Sequence, residues 1–218
     1  MIHFLKTEKT ARVVIEGENN PKLKCVWIIA HGYGHLSIYF IKKFKSLFNE
    51  ENLLIAPEGL HRYYHGNSND KVGASWMTKE EREKDIEDYC LYFDKVYESY
   101  ISKLDKKVII NAIGFSQGGA TICRWAANTK YKIDNIIIWG INIPPDVRWE
   151  NDLDNLKTSN WYYVAGDKDE FLTIENQKEQ IRILEKHGIK PHALFYDGTH
   201  DIDEDALILL TQKCVKKA

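Results

Sequence analysis

Charge of either sign is in no excess in this chain: 30 lysines and arginines stand against 32 aspartates and glutamates over 218 residues, a net charge of about −2. That balance gives no electrostatic case for nucleic acid or an anionic membrane as a partner. Long apolar runs are missing too. None approaches the ~18 residues that a membrane span needs, so no span is expected. The opening stretch MIHFLKTEKTARVVIEGE lacks a basic segment followed by an apolar one, so it does not read as a signal peptide, and a cytoplasmic protein is the expectation. Cysteine is scarce. Cys25, Cys90, Cys123 and Cys214 form no CxxC pair and no Cys/His cluster of zinc spacing, which points to reduced, mostly buried thiols. Neither glycine-rich turn spells GxGxxG or a P-loop, which excludes a nucleotide-binding reading. Internal repeats and low-complexity linkers are also absent, so residues 1–218 read as one domain.

What is present is a hydrophobic fraction of 44%, ample for one large core, arranged in a rhythm. HFLKT and ARVVIEG read as an antiparallel N-terminal hairpin or edge pair. CVWIIAHG, NLLIAPEG, KVIINAIGF, NIIIWGI, WYYVAG and HALFYDG are short continuous apolar runs, the pattern of strands buried on both faces. YFIKKFKSLFNEE reads as an amphipathic helix. Thr78–Leu104 repeats apolar residues every three or four positions, with Thr78 and Glu81 spaced as a capping box. Further helical patterns cover Thr173–His187 and Asp203–Lys216. Strands alternating with helices predict an α/β fold, a mostly parallel central sheet flanked by helices. Leu60–Trp76 and Ile143–Asn160 read as irregular, and long enough to carry function.

In an open parallel sheet, ligands bind beyond the carboxyl ends of the strands. Five such ends carry HGYG (His31–Gly34), PEGLHRYY, Ser116, GDKDEF (Gly166–Phe171) and DGTHDID (Asp197–Asp203). Gly114-Phe115-Ser116-Gln117-Gly118 fits G-x-S-x-G, a turn that lifts a serine hydroxyl above the sheet between residues small enough to let strand and helix meet. The helix that starts there aims free N–H groups at developing negative charge. A serine needs a base to take its proton, and among eight histidines His200 is best placed, in a turn just past the last strand. His31 and His35 flank the first glycine turn and read as packing or hydrogen bonding within the loop. His61 and His65 are spaced i,i+4 but have no third ligand nearby, so no metal site is assigned. For the group that orients the base, Asp167, Asp169 and Glu170 crowd a single turn. The order serine, acid, histidine is that of one serine-hydrolase class. Asp201 is too close to His200 in sequence to reach round to its ring.

The set HGYG, GFSQGG, GDKDEF and GTHDI, spread over most of the chain, resembles the α/β-hydrolase superfamily and, within it, the phospholipase/carboxylesterase group that includes acyl-protein thioesterases. In that group the acid follows H-G-x-x-D. Counting from Gly166, the resemblance implies Asp169 as the acid, although Ala165 stands where the group has histidine and Asp167 is the alternative. It further implies an oxyanion hole made of the backbone N–H groups of Tyr33 and Gln117. GASWMT (Gly73–Thr78) is similar to the group's SW segment, which implies that Trp76 helps wall the pocket. Tyr63 and Tyr64, in the aromatic stretch before it, are further candidate pocket residues.

HLSIYF replaces the GDTG-like segment common in acyl-protein thioesterases, and HRYYHGNSNDKVG is longer and more aromatic and polar than a simple acyl groove needs. The expectation is a cofactor-independent hydrolase of ester or thioester substrates, with Ser116 as nucleophile, His200 as base and Asp169 as its orienter. Peptide, lactone or perhydrolytic chemistry on the same triad is the alternative, and a non-catalytic binding module on the same scaffold is a second.

Overall fold

The computed structural model describes residues 1–65, 71–105, 107–150 and 153–215. The strands are β1 (Val13–Glu16), β2 (Cys25–Ala30), β3 (Asn52–Pro57), β4 (His61–His65), β5 (Lys71–Ser75), β6 (Ile109–Phe115), β7 (Asn135–Trp139), β8 (Asn160–Gly166) and β9 (His192–Tyr196), and the six continuous apolar runs supply β2, β3 and β6 to β9. Among the described residues, seven of them make one sheet in the order β1-β3-β2-β6-β7-β8-β9. Every pairing in it is parallel except β1 on β3.

Period-two alternation divides the core into two layers. Val26, Ile28 and Ala30 of β2 pack with Tyr89, Phe93 and Val96 of α2 (Arg82–Tyr100) and Ile122 and Trp125 of α3 (Gln117–Ala126). Cys25, Trp27 and Ile29 face the opposite way. They meet Phe40, Ile41, Phe44 and Leu47, together with Leu207 and Leu210 of α6 (Glu204–Val215). Each fully buried Ile, Leu or Phe contributes roughly 1.5–3 kcal/mol. The five tryptophans buried most completely each find an acceptor for the indole N–H: Asn52 for Trp27, His31 O for Trp76, Asp94 for Trp125, Asp201 O for Trp139 and Leu156 O for Trp161. A buried indole without one would be costly.

Near the amino ends of the parallel strands, three asparagines stand in register across β6, β7 and β8. Asn160 donates to Asn135 Oδ1 at 3.0 Å, Asn135 donates to Asn111 Oδ1 at 2.7 Å, and Asn111 donates to Val26 O at 3.2 Å. The ladder satisfies amides that burial would otherwise penalise.

Several local expectations are revised. HFLKT forms no strand, and the antiparallel partner of β1 is β3, with Val13 opposite Pro57. The hairpin lies instead in Leu60–Trp76, where β4 and β5 pair antiparallel with His61 opposite Ser75; residues 66–70 of that stretch lie outside the described residues. YFIKKFKSLFNEE gives a four-residue α1 (Ser37–Phe40) running into a 3-10 segment, Ile41–Leu47, in which Phe44 leaves helical geometry. The capping box is not formed. Glu81 adopts a left-handed conformation at the head of α2 with no side-chain cap, and the Thr78 N–H donates to Asp85. The reading of Thr173–His187 fits α5 (Ile174–Lys186), whose start is capped by Thr173 accepting from the Asn176 N–H at 3.2 Å. Ile143–Asn160 includes a short α4 (Leu153–Thr158). No helix among the described residues is long and apolar enough to cross a membrane.

Candidate functional site

Strand β6 ends at Phe115 and α3 begins at Gln117, so Ser116 makes the whole turn. Its backbone sits at φ 51°, ψ −123°, a conformation that costs a non-glycine residue of order 1–3 kcal/mol and survives only when its surroundings enforce it. The Ser116 N–H donates to Trp139 O at 2.9 Å, fixing the turn to β7. Gly118 allows the helix to sit against β2: a Cβ there would lie 2.2 Å from Ala30 O. Ser116 Oγ makes no hydrogen bond among the described residues, and it lines a cavity of about 570 Å³.

His200 lines the same cavity from the turn after β9. Its Nδ1 is 2.7 Å from Asp169 Oδ2, a carboxylate with side-chain exposure of 1%. The other Asp169 oxygen accepts the N–H groups of Phe171 at 2.8 Å and Leu172 at 3.1 Å. Those bonds hold the carboxylate in one orientation and balance its burial. The neighbouring acids do other things: Asp167 accepts the Gly198 N–H, Glu170 accepts the His200 backbone N–H, and Asp201 turns outward to Lys43 at 2.7 Å. The imidazole is flanked by Phe115 and Phe171, each with its ring centre 4.8 Å away.

The loop after β2 is built on His31, which is fully buried. Its Nδ1 pairs with Gly32 O at 2.7 Å and its Nε2 accepts the Gly59 N–H at 2.9 Å. Burial lowers its pKa from 6.5 to about 4, so the ring stays neutral and structural. Tyr33 lines the cavity, and among the described residues neither its backbone N–H nor that of Gln117 donates to a protein acceptor. His35 lines the cavity as well. It is stacked on Phe40 and Phe115, with Nδ1 buried and without a partner.

Trp76, Tyr63 and Tyr64 do not line this cavity. Trp76 is fully buried, because its indole N–H turns inward to His31 O while its ring packs on Phe93. Tyr63 stacks on Tyr33 at 5.4 Å, and Tyr64 points to solvent. Ile141 and Asn142 after β7, and Phe171 and Leu172 after the acid turn, take their place. Those four were not singled out from the sequence, although the strand-end rule reaches the continuation of β7 as it does the others. Phe171 and Leu172 carry a weaker signal, two large apolar residues directly after a turn of charges. Below Ile141 and Asn142 the loop is tied down by Asp146, which accepts from buried Arg124 at 2.9 Å and from Arg82.

Solved structures share this architecture. Acyl-protein thioesterase 2 from Zea mays superposes with TM-score 0.73 at 13% identity, over 94% of this chain and 97% of that one. Esterase PE8 gives 0.70 at 16%, over 94% and 98%. A Bacillus cereus carboxylesterase gives 0.69 at 15%, over 94% and 93%. At such identities they establish the α/β-hydrolase fold. No curated protein matches the sequence. The phospholipase/carboxylesterase family model, however, matches residues 10–213, from before β1 into α6. With that match spanning both the serine turn and the histidine turn, the chain belongs to the phospholipase/carboxylesterase family of α/β-hydrolases.

Proposed function

We propose that the chain hydrolyses carboxylic esters or thioesters through an acyl-enzyme on Ser116. Ser116 Oγ attacks the substrate carbonyl carbon as His200 Nε2 takes its proton. Asp169 holds the imidazole in the tautomer that leaves Nε2 free and stabilises the imidazolium that forms. The Tyr33 and Gln117 N–H groups receive the oxyanion, each donor being worth roughly 10²–10³ in rate. His200 then protonates the leaving group, and with its help water releases the acid and restores the serine. The apolar lining of Phe115, Ile141, Phe171 and Leu172 suits an acyl chain.

The observation that carries this reading is the convergence on one cavity of a strained serine at a helix start and an imidazole bonded to a buried carboxylate. The names of the structural neighbours, a thioesterase, an esterase and a carboxylesterase, agree with it. Its test is hydrolysis of p-nitrophenyl esters from short to long acyl chains by the wild type and Ser116→Ala. The expected result is turnover with a chain-length optimum, lost in the variant, and fluorophosphonate labelling confined to Ser116. Folded wild type that neither hydrolyses any ester of the series nor labels would overturn the reading.

A further inference from the structure

The two N–H groups assigned to the oxyanion belong to different elements, the loop after β2 and the head of α3, yet one short segment, residues 73–77, grips both. On the loop side, the Gly34 N–H donates to Ala74 O at 2.9 Å and the Trp76 indole donates to His31 O at 2.8 Å. Gly73 comes so near that a Cβ on it would lie 2.8 Å from Gly34 O. Tyr33, between those anchors, stacks on Tyr63 of the paired strand. On the helix side, the Gln117 carboxamide oxygen accepts the Trp76 N–H at 3.1 Å. Its nitrogen donates to Met77 O at 2.9 Å and to Ser75 Oγ at 3.1 Å, and that hydroxyl donates in turn to Met77 O at 2.7 Å. The carboxamide thus spends its capacity inside the protein and none of it on the cavity.

Resting on the function proposed above, we infer that the Gln117 side chain and residues 73–77 form a positioning element that sets the separation of the Tyr33 and Gln117 N–H groups. The β4–β5 hairpin is then a gauge for the oxyanion site, acting through backbone it holds and touching no substrate. Preorganised donors stabilise the charge that develops in the transition state, so a gauge of this kind acts on turnover while ground-state binding stays as it was.

The test compares Gln117→Leu, which keeps the bulk and loses the bonds, with Tyr63→Ala and Tyr63→Phe, of which only the second keeps the stacked ring. The expected result is kcat lowered roughly 10- to 100-fold in Gln117→Leu and Tyr63→Ala with KM within about twofold, and near wild-type kcat in Tyr63→Phe. The inhibition constant of an alkyl trifluoromethyl ketone, whose adduct carries the oxyanion, should rise in proportion to the loss in kcat. If Gln117→Leu does not fold, the Tyr63 pair decides, since that residue is only half-buried and belongs to neither layer of the core. Wild-type kcat in folded Gln117→Leu or in Tyr63→Ala, or a loss carried by KM, overturns the inference. Hydrolysis that persists in Ser116→Ala would instead sink the serine mechanism beneath it.

Discussion

The two ends of the central sheet treat polar groups in opposite ways. At the amino ends of β6, β7 and β8, three side-chain amides, those of Asn111 and Asn135 fully buried, close on one another and on a strand carbonyl. At the carboxyl ends, a serine hydroxyl, two backbone N–H groups and an imidazole nitrogen have no protein partner among the described residues. Buried donors and acceptors are rarely left open, because each costs about 1–3 kcal/mol. One end of the sheet closes its polar groups on one another, and the other leaves them facing a cavity. The contrast separates residues whose loss should register in turnover from those whose loss should register in stability.

The largest effect should fall at the open end. Asp169→Asn keeps the shape but favours the wrong imidazole tautomer, and kcat should drop about 10³- to 10⁴-fold while the melting temperature changes little. A variant losing tens of degrees with kcat intact would reverse the comparison. Next comes the anchor beneath the cavity wall. Asp146→Ala strands the Arg124 guanidinium, whose side chain is 8% exposed, and should cost roughly 3–5 kcal/mol in urea unfolding. Acid should weaken the fold through His31. Its folded pKa of about 4 lies below the ordinary 6.5, so the unfolded chain takes up the proton first. Stability is therefore complete above about pH 6.5 and lost as pH falls to 4, by about 3 kcal/mol in all. Urea midpoints across that window should flatten in His31→Gln; an unchanged slope would assign the acid sensitivity elsewhere.

At the closed end, Asn135→Ala should lower stability by about 1–3 kcal/mol by leaving Asn111 and Asn160 without their partner, with kcat/KM as in the wild type. A fall in kcat/KM there would show that the two ends are coupled. The smallest effect belongs to Lys43→Ala. This removes an exposed ion pair to Asp201, next to His200, and should cost well under 1 kcal/mol, vanishing in high salt.

The layered α/β order was legible because strands buried on both faces must read as continuous apolar runs, and CVWIIA or NIIIW has few other readings. The serine turn was legible for a related reason: only small residues allow that approach of helix to strand. Long-range pairing was harder to read. VVIE finds its partner in β3 some 40 residues away, while HFLKT has no strand edge to join. HRYYH and KVGAS, which form β4 and β5, carry no alternation of apolar and polar residues, so Leu60–Trp76 looked irregular. Trp76 misled because a bulky aromatic before a long helix suits a pocket wall and a core anchor equally. What decides is the carbonyl of His31, 45 residues away in sequence. Which of Asp167, Asp169 and Glu170 lies against the His200 ring is likewise a matter of tertiary packing, which places Asp169 there.

The four cysteines offer a practical opening. All are free, and burial raises their thiols to about 11 for Cys25 and about 12 for Cys90, Cys123 and Cys214. At neutral pH the reactive thiolate is then scarcer than in an exposed cysteine by a factor on the order of 10² or more. The native chain should therefore react slowly with maleimides and iodoacetamides, which a labelling time course would check. A single cysteine introduced at the exposed Tyr64, on the outer side of the hairpin, would carry a spin label or fluorophore against little background and report on the surroundings of that ribbon without first removing the native thiols.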